Sequence, residues 1–309
     1  MALLPFQLVY HSGYDLNLGD HVFPAKKYAL IHEQLLREGF ADESDFVSPE
    51  PATDEDVLLV HTEQWVRGLK NGTLDYAALL RLEIPYSRQM VDAFWLSAGG
   101  SILAARNALR DRIGYSIGGG FHHAFADHGE GFCAVNDVAV AIRRLQKDKL
   151  IERAMVVDCD VHQGNGTAGI FAGDATVFTI SIHQYNNYPA VKPPSDIDVD
   201  LENGLRDDEY LQRLAEALQQ GFSRFHPDLV MYVAGADPYR EDQLGGLALT
   251  IAGLKHRDAA VIGTALAHRA PLAVTLAGGY AYDTSDTVTI HCNTAHAAYE
   301  ALTAPGSLS

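Results

Sequence analysis

Cysteine is scarce: the chain has three, Cys133, Cys159 and Cys292, in 309 residues. An odd and small number excludes a disulfide framework and points to a reducing, cytoplasmic compartment. Basic residues are also few, 23 Lys and Arg against 40 Asp and Glu, giving a formal net charge of −17. Phosphate backbones are bound through a basic footprint, so nucleic-acid binding through the protein's own surface is excluded. The acidity serves solubility, and it would also concentrate a cationic substrate or tail. No uninterrupted apolar stretch reaches membrane-spanning length. Residues 1–7 lack the basic n-region and apolar core of a signal peptide, and no basic run reads as a nuclear address. What remains is an apolar content of 47% spread evenly along the chain, as a folded globular protein requires. Length alone allows two domains, but no linker, repeat or low-complexity tract divides the chain. The proline-rich stretch 188–194 is short and reads as a surface loop at the mouth of a site. Residues 1–309 are therefore expected to form a single domain.

Short β-type runs recur at 7–10, 115–117, 154–157, 177–182, 229–233 and 272–276. Most are apolar on both faces, which suits strands buried between helices in a parallel sheet. Helices are expected between them. One opens at Asp207-Asp208-Glu209, carries the stripe Tyr210, Leu211, Leu214 and Leu218, and is interrupted at Gly221. Others cover 136–145 and 251–266. Alternating strands and helices imply an α/β layered fold with a parallel sheet.

The chemistry concentrates just after these runs. Asp158-Cys159-Asp160-Val161-His162 follows the run 154–157, and a strand ending there would bring Asp158, Asp160 and His162 to one edge. Two carboxylates and an imidazole make a divalent-metal site, with Cys159 directed into the opposite face. Gly118-Gly119-Gly120-Phe121-His122-His123 sets two histidines after a glycine-rich bend, and Gly235-Ala236-Asp237 and Gly278-Gly279-Tyr280 follow further apolar runs. The glycine triplet has no Gly-Lys-Ser/Thr after it, so it is not a phosphate loop. Isolated histidines in helix-like sequence (His32, His256, His268, His291 and His296) read as surface or half-buried residues.

Four segments, GGGFHHAFADHGEGFCAVNDVAVAI (118–142), VVDCDVHQGNGTAGIF (156–171), AGADPYREDQLGGLALT (234–250) and LAGGYA (276–281), resemble the zinc-dependent histone deacetylase family in order and spacing. The likeness spans residues 10–282. GFHHA and Asn165 resemble most the class IV branch and bacterial deacetylase-like amidohydrolases. The resemblance implies the arginase/deacetylase fold, an open, mainly parallel eight-stranded sheet flanked by helices. It implies a catalytic zinc, or iron(II), held by Asp160, His162 and Asp237. It implies that His122 pairs with Asp158, and that His123 serves as base for water and acid for the leaving amine. It also implies that Tyr280 donates its hydroxyl to the substrate carbonyl. Asn165 stands where class I members carry aspartate; a neutral amide holds imidazolium less strongly, which makes His123 the better base at neutral pH. Gly131, Phe132 and Leu244 match channel-lining positions. Tyr188 is either the facing aromatic wall or a packed loop residue. Glu83 is the only acid near the position of the class I rim aspartate. A structural potassium or sodium ion is implied on Asp158, Asp160 and Ser181, with backbone oxygens of His162 and Ile182.

The leading expectation is a zinc-dependent amidohydrolase acting on acyl-lysine, acetyl or longer. The alternatives are a deacetylase of acetylated polyamines or other small acylated amines, and a non-catalytic acyl-lysine binder. The binder should lack a metal ligand, a histidine or the tyrosine, and none is missing. An arginase-like two-metal site would need other residues in place of His123 and Tyr280.

Overall fold

In the computed structural model, which describes residues 2–304, the apolar runs become strands β1 (Leu8–Val9), β2 (Phe46–Val47), β3 (Ile113–Ser116), β4 (Ala154–Asp158), β5 (Val177–Gln184), β6 (Ile197–Leu201), β7 (Leu229–Val233) and β8 (Leu272–Thr275). They form one eight-stranded sheet in the order β2-β1-β3-β8-β7-β4-β5-β6. Every ladder is parallel, so the expected mainly parallel sheet is parallel throughout the described residues. The strands from β3 to β5 are buried along their whole length, because helices cover both faces.

The helices are α1 (Lys27–Arg37), α2 (Asp54–Val57), α3 (Glu63–Asn71), α4 (Tyr76–Leu82), α5 (Arg88–Asp111), α6 (Asp137–Lys147), α7 (Asn165–Phe171), α8 (Asp207–Arg224), α9 (Ile251–Ala267) and α10 (Thr284–Thr303). In one layer α5 packs on α6 and against β3 and β8; in the other α8, α9, α10 and α1 pack in succession. The longest helix, α5, starts where the Ser87 side chain accepts from Met90 N. Its small residues let strands approach at backbone range: a Cβ on Gly114 of β3 would lie 1.8 Å from Ala104 O. Gly221 does not interrupt α8. It faces inward, where a Cβ would sit 2.5 Å from Ile180 Cδ1, so packing against β5 sets the choice of glycine and the helix runs on to Arg224. His291 is another correction: it is fully buried on α10, not at the surface, because α10 is enclosed by α1 and α9. No helix among the described residues is long and apolar enough to cross a membrane.

Candidate active site

Strands β3, β8, β7 and β4 are neighbours, so the loops leaving their carboxyl ends meet. That edge is where open α/β sheets bind ligands. The bend after β3 uses left-handed backbone at Gly119 (φ 73°) and Gly120 (φ 86°). It is pinned by the buried Asp137 carboxylate, which accepts from Gly120 N (3.0 Å), Phe121 N (2.8 Å) and Ser101 Oγ (2.5 Å). A Cβ on Gly120 would come within 2.7 Å of Ala277, so the histidine loop and the tyrosine loop touch backbone to backbone.

Out of this bend come the two histidines. His122 Nδ1 lies 2.6 Å from Asp158 Oδ2. Burial works against its charged form, but Asp158 and Asp160 prevail and push its pKa up to about 9. His123 Nδ1 lies 2.7 Å from Asn165 Oδ1. Burial, with His122 and His162 nearby, holds its pKa well below the usual imidazole range. The neutral partner read from the sequence is in contact, but it does not stand alone: Asn165 Nδ2 donates to the Glu130 carboxylate at 2.5 Å.

Asp160, His162 and Asp237 are all buried, and each brings a ligand-type atom within 4.8 Å of the other two. His162 Nδ1 sits 3.0 Å from Asp160 Oδ1 and 3.3 Å from Asp237 Oδ2. The remaining oxygens are held by backbone: Val161 N donates to Asp237 Oδ1 (2.8 Å) and Gly278 N to Asp160 Oδ2 (2.9 Å). Asp237 Oδ2, though buried, accepts no hydrogen bond. Burial, and the charge of Asp160, push the Asp237 carboxyl up to about 7. Two close buried carboxylates, one with an unused oxygen, beside an imidazole fit a divalent cation.

Supports that no local motif marks lie beneath. Fully buried Arg257 of α9 donates Nη1 to Gly235 O (2.5 Å) and Cys159 O (3.2 Å), tying the loops of Asp237 and Asp160 together, while its Nε bonds Asp258 (2.9 Å). Fully buried Lys27 of α1 donates Nζ to Ala277 O (2.6 Å) and Gly278 O (3.1 Å). Burial lowers its pKa to about 8 against the pull of Asp237, Asp160 and Asp242. The Cys159 thiol turns away from the carboxylates toward Tyr210 of α8, and burial pushes it up to about 12. Ser181, beside Asp158 across the β4–β5 ladder, lies with its Oγ 2.9 Å from His183 Nδ1.

A channel of about 160 Å³ descends to this cluster. Phe132, Gly131, Tyr188 and Leu244 line it, and His123, His162 and Tyr280 close its end. Asn187 and Glu83 complete the lining; Glu83, whose register the sequence left open, follows α4 in left-handed backbone (φ 58°). Tyr188 meets the His123 ring edge-on at 4.9 Å and donates its hydroxyl to Glu130 Oε1 (3.0 Å). Gly131 (φ 52°) has to be glycine, since a Cβ there would lie 2.8 Å from both His123 and Tyr188 and block the passage. Burial, and then Asp160 and Asp237, raise the Tyr280 phenol well above its ordinary value, so it stays a proton donor. Its loop is fixed by Tyr280 N donating to Asp242 Oδ2 at 2.7 Å.

Known proteins share this sequence pattern and this fold. The histone deacetylase domain matches residues 21–295. An uncharacterized protein of Picosynechococcus sp. is 42% identical over 93% of this chain and 96% of its own length. Histone deacetylase 2 of Arabidopsis thaliana is 32% identical over 91% of this chain and 76% of its own. The solved structure of the HDA15 HD domain has the same fold, with a TM-score of 0.76 at 23% identity, over 97% of this chain and 91% of that one. The chain belongs to the histone deacetylase family, and it is a hydrolytic deacetylase.

Proposed function

We propose that the enzyme is zinc-dependent and removes the acyl group, acetyl or longer, from the ε-amine of acyl-lysine. The observation that carries this reading is the channel. A narrow passage walled by Phe132 and Tyr188 suits an extended methylene chain, and it ends at His123, Tyr280 and the Asp160, His162, Asp237 cluster. Zinc held by those three residues would polarise the amide carbonyl and make water a stronger acid. His123 takes a proton from the attacking water at Nε2 and later delivers it to the leaving amine. Its low pKa suits the first task. His122, held by Asp158, contributes positive charge beside the reacting centre. Tyr280 donates its hydroxyl to the carbonyl oxygen, a bond that strengthens as that oxygen gains charge. A potassium or sodium ion on Asp158, Asp160, Ser181 and the carbonyls of His162 and Ile182 would brace the same strand ends. Three buried free thiols support the cytoplasmic compartment.

A second reading, an acetylated polyamine or other small acylated amine as substrate, draws on the Glu83 carboxylate beside the channel and the net charge of −17. Turnover of acetyl-lysine peptide, long-chain acyl-lysine peptide and acetylated polyamine by zinc-loaded enzyme separates the two. The acyl-lysine reading expects a peptide to give the highest kcat/KM; a higher value on the polyamine would replace it with the second.

A further inference from the structure

Asn165 raises a question that its hydrogen bond to His123 does not answer. The two ends of a side-chain amide have nearly the same shape and opposite hydrogen-bonding character. Turned one way, Asn165 offers an oxygen to His123 Nδ1, which must then carry the hydrogen and leave Nε2 with its lone pair. Turned the other way, it offers N–H to Nδ1, and the hydrogen moves to Nε2. Only the first form is a base at the channel end.

The other end of the amide decides between them. Asn165 Nδ2 meets Glu130 Oε1 at 2.5 Å, and a carboxylate accepts hydrogen bonds without donating any. The NH₂ end must therefore face Glu130, and Oδ1 must face His123, at 2.7 Å. The same Glu130 oxygen receives the Tyr188 hydroxyl at 3.0 Å. Glu130 is held in place by the turn that makes the channel wall: Glu130 N donates to Cys133 O (3.1 Å) and Cys133 N to Glu130 O (2.9 Å), around left-handed Gly131 and Phe132. Its side chain is 17% exposed and His128 Nε2 lies 3.6 Å from its second oxygen, so the carboxylate has few other ways to turn.

We propose that Glu130 is a positioning residue that sets the tautomer of neutral His123 through Asn165, and with the same oxygen fixes Tyr188 as channel wall. This rests on the reading of His123 as proton acceptor.

The test is a cycle of zinc-loaded variants, Glu130→Ala, Asn165→Asp and the double substitution, assayed on acetyl-lysine peptide with zinc content measured throughout. Removing Glu130 frees the amide to turn, so kcat should fall by roughly ten- to a hundredfold, a part of the loss that a fully wrong histidine tautomer causes. KM should move less, and zinc content should not change. Asn165→Asp alone should also be slow, because it sets a second carboxylate against Glu130. Combined with Glu130→Ala it should restore kcat by about tenfold over Glu130→Ala alone, since an aspartate accepts at either oxygen and needs nothing to orient it. A turn brace with no link to Asn165 predicts no such rescue, and a double variant as slow as Glu130→Ala overturns the proposal. If alanine at 130 unfolds the turn, Glu130→Gln, which can donate as well as accept, should give a smaller loss rescued in the same way. Nitrogen-15 NMR of the His123 ring reads the tautomer without turnover: Nδ1–H in the wild type, with an Nε2–H population appearing in Glu130→Ala. An unchanged ring in that variant refutes the role of Glu130 even if the enzyme acts on another substrate. A wild type without activity but with the expected tautomers would refute the deacylation reading alone.

Discussion

Tyr280 lines the channel and Asp237 lies buried in the carboxylate–imidazole cluster, so the two should fail in different ways. Replacing Tyr280 by Phe keeps the ring that packs near Phe23 and Phe132 and removes only the donor. Loss of one such donor costs about two to three orders of magnitude in kcat, with KM nearly unchanged. Asp237→Ala should lose bound metal and activity together, measured by metal analysis of the purified protein. At this level the sequence was informative for the residues that gather at the candidate site, because their motifs are local: Gly118 to His123, and Asp158 to His162. It was silent on residues that act across the fold. Lys27 reaches Ala277, and Arg257 reaches Cys159, over long stretches of chain that no motif spans. Glu130 lay inside a quoted segment, yet its role depends on Asn165 and Tyr188, which only folding brings to it.

Loops at the ends of four adjacent strands hold the cluster, and two residues test how tightly. Gly278 follows β8, where a Cβ would lie 2.0 Å from Asp237 Oδ2 and 2.6 Å from Asp160 Oδ2. Gly278→Ala should push both carboxylates aside and lower zinc affinity, read by competition with a chelating dye. Arg257 supports the same loops from α9, and Arg257→Met would leave Asp258 buried without its cation. Breaking a buried pair on one side costs roughly 3–5 kcal/mol, so the urea midpoint should fall clearly. The buried strands were readable as apolar runs. The edge strand β6 was passed over because it is not an apolar run, although Ile197-Asp198-Val199-Asp200-Leu201, with both acids exposed, carries the alternation of a half-buried strand. β2, with only Phe46 and Val47, carries too little pattern to read. Helix α5 went unread although Ser87 caps it, because its Ala, Gly and Ser positions blur the contrast between faces that marks an amphipathic helix.

Across the whole molecule, metal and folding should be linked. A cation that binds only the folded chain adds about 4 kcal/mol at a thousandfold its Kd, an increase in melting temperature on the order of 5–10 °C for a chain of this size. Zinc removal by a chelator should reverse that increase. Acid should act through His61, whose ring accepts from Asn136 N at 3.0 Å and whose burial holds its pKa down to about 4, from 6.5. The unfolded chain takes up this proton near pH 6.5 and the folded chain only near 4, so the stability His61 contributes is intact above 6.5 and lost as pH falls toward 4. His61→Gln should flatten that part of the profile of melting temperature against pH. The most direct measurement is a single-turnover assay of wild type and Tyr280→Phe on a short acetyl-lysine peptide, each with zinc confirmed bound. Metal-dependent deacylation with a tyrosine donor gives release of acetate by the wild type and a rate lower by roughly a hundred- to a thousandfold in the variant. Equal rates, or no acetate from zinc-loaded wild type, would contradict it.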